Sequence, residues 1–130
     1  TSTEVNAYLR AISGRDITAK DFRTWGGTLA AVRLLAEMPW DEEGASQRAM
    51  ASMRKSAEQS VARQLGNTPA ICRKSYIDPR VYQAWERGWL ARHSDKVRGP
   101  RQWEALTLRL LRAMARGGAR GKSAKARLAG

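Results

Sequence analysis

The stretch LGNTPAICRKSYIDP, Leu65 to Pro79, restricts the fold more than any other part of the chain. Pro69 and Pro79 each lack a backbone N–H, so a helix tolerates them only in its first turn. Each follows a residue suited to cap a helix, Thr68 and Asp78. Gly66 is a helix stop, and Asn67 stays in a polar loop. The stretch therefore predicts one helix ending at Leu65, a short one from Thr68, and a third from Pro79. Ile71 and Ile77 are expected to pin the middle segment to a core. Between them lies Tyr76, a phenol preceded by Arg73, Lys74 and Ser75. Other segments must then be searched for cationic donors that reach it.

Those segments have the 3.6-residue apolar spacing of helices, with no alternating run that reads as a strand. From Thr1 to Ile12 the apolar positions are Val5, Tyr8, Leu9 and Ile12, and Thr1 and Glu4 have capping-box separation. Thr18, with Asp21 three residues on, predicts a second helix to about Glu37. Its apolar face is Phe22, Trp25, Leu29, Val32 and Leu35 or Ala36. Gly26 and Gly27 each weaken that helix by roughly 1 kcal/mol relative to Ala, a cost that close packing of another backbone would explain. After an acidic loop (Asp41, Glu42, Glu43), a third helix from about Ala45 to Leu65 is apolar at Met50, Met53, Ala57, Val61 and Leu65. The helix from Pro79 presents Val81, Tyr82, Trp85 and Trp89. A basic connector, Ala91 to Pro100, precedes a last helix from about Arg101 to Ala115 with Trp103, Leu106, Leu110 and Met114. The expected fold is all-α: a compact multi-helix domain over 1–115, then a flexible basic tail over 116–130 carrying Arg120, Lys122, Lys125 and Arg127.

Composition narrows the partner. A chain of 130 residues that is 42% hydrophobic can bury a core, while a net charge of +12 and a pI near 11.0 exceed anything folding requires. That charge suits a phosphate backbone, so a nucleic acid is the expected partner, with a basic ribosomal, membrane-surface or merely soluble protein as the alternatives. One cysteine, Cys72, excludes an internal disulfide and fits a reducing cytoplasm. One histidine, His93, and no Cys or His pair at ligand spacing argue against a metal site. No apolar run approaches the ~20 residues of a membrane span, so no membrane partner is expected.

Two segments, TAKDFRTW (Thr18 to Trp25) and LGNTPAICRKSY (Leu65 to Tyr76), resemble the catalytic domain of type IB DNA topoisomerases, the poxvirus-like and bacterial branch. The motifs match in residue type, order and separation, from about Thr18 through Tyr76. The resemblance places Arg23 on the family's second active-site arginine and Tyr76 on its nucleophile. Asn67 falls where poxvirus and eukaryotic members usually carry histidine and bacterial members can carry asparagine. It implies ATP-independent relaxation of supercoiled duplex DNA: Tyr76 forms a 3′-phosphotyrosyl bond, a 5′-hydroxyl is released, and the strand is later resealed. No cofactor, metal or ATP is implied. A monomer acting on the bacterial nucleoid in the cytoplasm is expected. The family's other arginine and its general-acid lysine lie upstream of TAKDFRTW. The residues before Thr18 hold only Arg10 and Arg15 as cations, in no matching motif. The chain is thus expected to be the C-terminal portion of a larger enzyme and, alone, to cleave DNA poorly.

The chemistry supports these roles independently. A free tyrosine, with a pKa of about 10, attacks phosphorus poorly at neutral pH. Charge grows on the nonbridging oxygens, and fixed donors aimed there stabilise it most. Arg23 offers an always-charged planar fork, and Asn67 an amide NH2. The amides of Thr68 to Ala70 at a helix start add modest anion binding. Lys20, Arg73 and Lys74 are expected on DNA phosphates, although one of the latter two can instead pair with Asp78. Simpler readings stand beside these: Tyr76 as an ordinary half-buried tyrosine, Arg23 paired with Asp21, Asn67 as only a helix-terminal residue. Cys72 reads as a small buried hydrophobe, His93 as a surface residue, and Trp25, Trp85, Trp89 and Trp103 as core. A tyrosine recombinase, which uses a related Arg, His and Tyr set, and a non-catalytic basic helical DNA-binding module are the alternative functions.

Overall fold

A computed structural model describes the backbone of residues 2–14, 16–41 and 43–129, with side chains described up to residue 115. Among the described residues seven α-helices follow in order: α1 (Thr3–Ser13), α2 (Ala19–Glu37), α3 (Gln47–Leu65), α4 (Pro69–Ile71), α5 (Pro79–Glu86), α6 (Trp89–His93) and α7 (Gly99–Ala129). Between α4 and α5 runs a π-helical turn, Cys72–Tyr76. No strand occurs among the described residues, and the all-α expectation holds. None of the helices there is long and apolar enough to cross a membrane. The expected tail over 116–130 falls where side chains lie outside the described residues.

Helix α2 is the hub, packing against α1, α3, the π-helical turn, α5, α6 and α7. Its buried face is Trp25, Gly27, Thr28, Ala31, Val32 and Leu35. Phe22, expected on that face, is 44% exposed. The stripe is rotated toward Gly27 and Thr28 because a neighbouring backbone, rather than a layer of side chains, packs there. Around α2 the core closes with Val5 and Leu9 of α1, Ala57 and Val61 of α3, Val81 and Trp85 of α5, and Leu106, Leu110 and Leu111 of α7.

Several helix ends follow the local chemistry. Thr18 Oγ1 accepts from Asp21 N at 3.1 Å while Asp21 accepts in return from Thr18 N at 2.9 Å, the reciprocal capping box that sets the start of α2. At α1 the cap is Ser2, whose Oγ accepts from Val5 N at 3.2 Å; Thr1 of the expected Thr1–Glu4 pair lies outside the described residues. Helix α5 stops before Trp89 because Gly88 takes a left-handed conformation (φ 77°). A Cβ there would lie 3.2 Å from Trp40 Cζ2, so the Trp40 ring occupies the space a side chain would need. Trp89 opens α6 instead, which absorbs part of the expected connector. His93 is half-buried rather than on the surface: its ring stacks on Trp89 at 4.0 Å and its Nδ1 lies 2.7 Å from Trp89 O.

A polar tie links four helices. Asp78 caps α5 by accepting from Arg80 N at 2.9 Å, and its own N–H donates to Thr28 Oγ1 of α2 at 3.1 Å. The Arg80 guanidinium binds both Asp78 oxygens at 3.0 and 2.6 Å, Leu111 O of α7 at 3.1 Å and the Tyr8 hydroxyl of α1 at 3.2 Å. Asp78 thus pairs with Arg80, not with Arg73 or Lys74, because a guanidinium two residues away on the same helix start reaches it in bidentate geometry. Burial works to raise the Asp78 pKa, but the Arg80 hydrogen bonds and charge outweigh it and hold the carboxyl below its usual 3.8. A carboxyl depressed in the folded state stabilises the fold above its unfolded pKa, and that contribution fades as pH falls through the folded value. In urea unfolding from about pH 6 to about pH 2, the wild type is expected to lose more stability below about pH 4 than Asp78→Asn. Parallel curves for the two proteins would remove Asp78 from the acid response.

Candidate active site

The tyrosine segment begins where α3 ends. Gly66 takes the left-handed conformation (φ 68°, ψ 37°), and the N–H groups of Gly66 and Asn67 both turn back to Ala62 O. This Schellman-type ending leaves the carbonyl of Leu65 without a helical donor. Arg23 fills that vacancy: its Nη2 donates to Leu65 O at 2.8 Å. The same guanidinium lies over the Tyr76 ring, 5.0 Å from its centroid. One side chain of α2 therefore binds the end of α3 and the phenol at once. A cation–π contact of this kind contributes about 0.5–1 kcal/mol at an exposed site, more when desolvated. Nε and Nη1 of Arg23 have no acceptor among the described residues, so those donors can still serve an incoming anion.

Three neighbouring positions of α2 seat the backbone around Tyr76. Thr24 Oγ1 donates to Lys20 O at 2.8 Å and lies 3.3 Å from Ser75 O; with one hydroxyl proton, the shorter bond dominates and the second is a looser polar contact. Thr28 Oγ1 accepts from Asp78 N. Between them Gly27 meets Tyr76 itself. A Cβ on Gly27 would clash with Tyr76 O and stand 3.1 Å from Tyr76 C and Cβ. The absent side chain lets two backbones touch. Residues 24, 27 and 28 share a helix face by their three- and four-residue spacing.

Thr68 caps the restart as expected, its Oγ1 accepting from Ile71 N at 3.2 Å. The new helix is α-type for only three residues before it widens into the π-helical turn ending on Tyr76, so anion binding by its first amides is weaker than a full helix would supply. Wide turns of this sort recur at functional sites. Ile77, extended and 3% exposed, anchors the far end, whereas Ile71 is 44% exposed and anchors nothing. Cys72 is fully buried; desolvation is the main reason its thiol pKa is raised, keeping it a neutral hydrophobe.

The expected site residues thus fall into two groups. Arg23 and Tyr76 are in contact. Asn67 is half-buried two residues after the carbonyl that Arg23 holds, so its loop is tied to the same guanidinium. Lys20, Arg73 and Lys74 are exposed. Arg73 Nη1 lies 4.0 Å from Glu58 Oε1, with the arginine side chain 61% exposed and the glutamate side chain 6% exposed, so an exposed cation faces a buried carboxylate at the edge of ion-pair distance. Asp21 is occupied by the Thr18 cap rather than by Arg23. Sequence reasoning passed over Thr24, Thr28, Glu58 and Arg80, which are polar residues whose roles depend on partners far away in the chain. Only the glycine pair signalled the contact in advance.

That pair permits a test in which adjacent identical substitutions differ in sign. A methyl group added at Gly26 would have nothing within 4 Å, so Gly26→Ala is expected to stabilise by about 0.5–1 kcal/mol through helix propensity. Gly27→Ala is expected to destabilise by about 1–3 kcal/mol through overpacking. Thermal melts decide it; equal shifts for both variants would contradict the close approach at Tyr76.

Comparison with known proteins identifies a family. The family model described as eukaryotic DNA topoisomerase I, catalytic core, matches residues 1–89. A relative, DNA topoisomerase 1B of Acanthamoeba polyphaga mimivirus, is 31% identical over 74 residues, covering 57% of this chain and 22% of that protein. The chain spans under a quarter of the length of that relative.

Proposed function

The chain belongs to the DNA topoisomerase I catalytic-core family, the type IB enzymes, and from that premise we propose that it carries the nucleophile of a DNA strand-cleaving and resealing reaction. The observation that bears most weight is the seating of Arg23 over Tyr76, 5.0 Å from the ring centroid. Two segments far apart in sequence, each matching a family motif, meet at one phenol and one guanidinium.

The substrate in this reading is duplex DNA, drawn by a net charge of +12. Tyr76 Oη attacks a backbone phosphorus. The new P–Oη bond forms as the P–O5′ bond breaks; the phenol gives up a proton and the departing 5′-oxygen gains one. The 3′-phosphotyrosyl ester conserves the energy of the broken phosphodiester. The free 5′-hydroxyl can therefore reverse the step after strand rotation has relaxed the duplex, with no ATP or metal. Arg23 supplies donors to the nonbridging oxygens, where charge accumulates. To do so its free Nε and Nη1 face the phosphate while Nη2 stays on Leu65 O, so the arginine is prepositioned by the α3 terminus. Asn67 offers a neutral amide donor from the loop beside that carbonyl. Lys20 and Lys74 contribute unspecific attraction to phosphate from the exposed rim.

The test uses the complete native polypeptide with a nicked duplex whose cleaved strand dissociates, which traps the adduct. Wild type is expected to yield a denaturation-resistant protein–DNA adduct, and Tyr76→Phe none, with DNA affinity nearly unchanged. Arg23→Ala is expected to slow adduct formation by about 10²–10³-fold, the usual effect of losing one oxyanion donor. Adduct formation by Tyr76→Phe at the wild-type rate would refute the assignment.

A further inference from the structure

Glu58 is the only acidic residue buried among the described residues, at 5% exposure, and nothing in the strand-transfer chemistry uses it. A carboxylate out of water is costly unless hydrogen bonds and opposite charge satisfy it. Here both are present. The Tyr82 hydroxyl of α5 donates to Oε2 at 2.6 Å, and Arg73 Nη1 of the π-helical turn lies 4.0 Å from Oε1. Arg54 lies 5.8 Å over the Tyr82 ring and 3.8 Å from Glu86, so a second cation backs the pair. Burial first, then the hydrogen bond to Glu58, push the Tyr82 phenol far above its ordinary value, which keeps it a donor.

The positions of these contacts along the chain matter more than their number. Arg73 lies three residues before Tyr76, and Pro79, where the helix carrying Tyr82 begins, three residues after it. A single carboxylate on α3 therefore holds the tyrosine segment on both sides of the nucleophile. Helix α2 seats the same segment through Gly27 and Thr28. The widened turn Cys72–Tyr76 lies between these supports.

We propose that Glu58 is a positioning residue for Tyr76: by holding Arg73 and the Tyr82 hydroxyl at once, it fixes the π-helical turn in the orientation from which the phenol attacks phosphorus. This inference rests on Tyr76 being the nucleophile. Glu58 touches no reacting atom and acts through its two partners. Displacing a reacting group by about 1 Å is enough to lower a rate about 10²-fold, so supports three residues before and six residues after the nucleophile can govern the chemical step without contributing to DNA affinity.

The experiment measures single-turnover adduct formation at saturating nicked duplex, well below each protein's melting temperature, alongside DNA Kd and the melting temperature. The complete native polypeptide is used. Glu58→Gln keeps the shape and an acceptor for Tyr82 but removes the charge facing Arg73; Tyr82→Phe removes only the hydroxyl and covers the case in which the first variant does not fold. Both are expected to slow adduct formation, Glu58→Gln by about 10–100-fold, with Kd changed less than about threefold. A purely structural carboxylate would lower the melting temperature and leave the rate of the folded protein at saturation unchanged; that result overturns the inference while leaving Tyr76 as nucleophile. A wild type that forms no adduct overturns the function reading and this inference together.

Discussion

The site depends on a contact between two backbones. At Gly27 helix α2 approaches the carbonyl of Tyr76 so closely that no side chain fits between them. The rest of the arrangement follows from that approach. With α2 against the tyrosine segment, Thr28 reaches Asp78 N, and Arg23, one turn earlier, reaches both Leu65 O and the ring of Tyr76. A larger residue at position 27 would push the segment off the helix that carries its arginine. The two segments would then part at Arg23 and Tyr76.

Arg23 illustrates how one side chain can make two structural contacts and keep further donors. A planar guanidinium has five donors in a rigid fork. One donor settles the orphan carbonyl at the end of α3, and the face covers Tyr76, while other donors remain available. A lysine could hold the carbonyl or meet a phosphate, but not both in fixed geometry. The same economy operates on the other side of Tyr76. There Asp78 caps α5, takes the bidentate grip of Arg80 and, through its N–H, docks on Thr28.

What the sequence revealed was local. Thr18 with Asp21, Thr68 before Pro69, Asp78 before Pro79 and the stop at Gly66 all act within one turn of chain, so residue type and spacing sufficed to place them. The pairing of Arg23 with Tyr76 was legible only through family resemblance; nothing in spacing alone says that residues 23 and 76 meet. Other features depend on tertiary neighbours and were hidden. Thr28 replaced Phe22 on the buried face because a backbone packs there. Gly88 broke a helix because the ring of Trp40 fills the space beside it. The π-helical turn has no periodicity signature in five residues, and nothing in the sequence marks Glu58, on which Tyr82 and Arg73 converge only in the fold.

If Tyr76, seated by α2 and faced by Arg23, is the group that attacks phosphorus, its phenolic oxygen must carry the DNA after cleavage. Digesting a trapped protein–DNA adduct with protease and nuclease, then locating the retained nucleotide by mass spectrometry, reads that bond itself. A single modified peptide is expected, with the nucleotide on the oxygen of Tyr76. A nucleotide found on Tyr8, on Tyr82 or on any other residue would contradict the assignment.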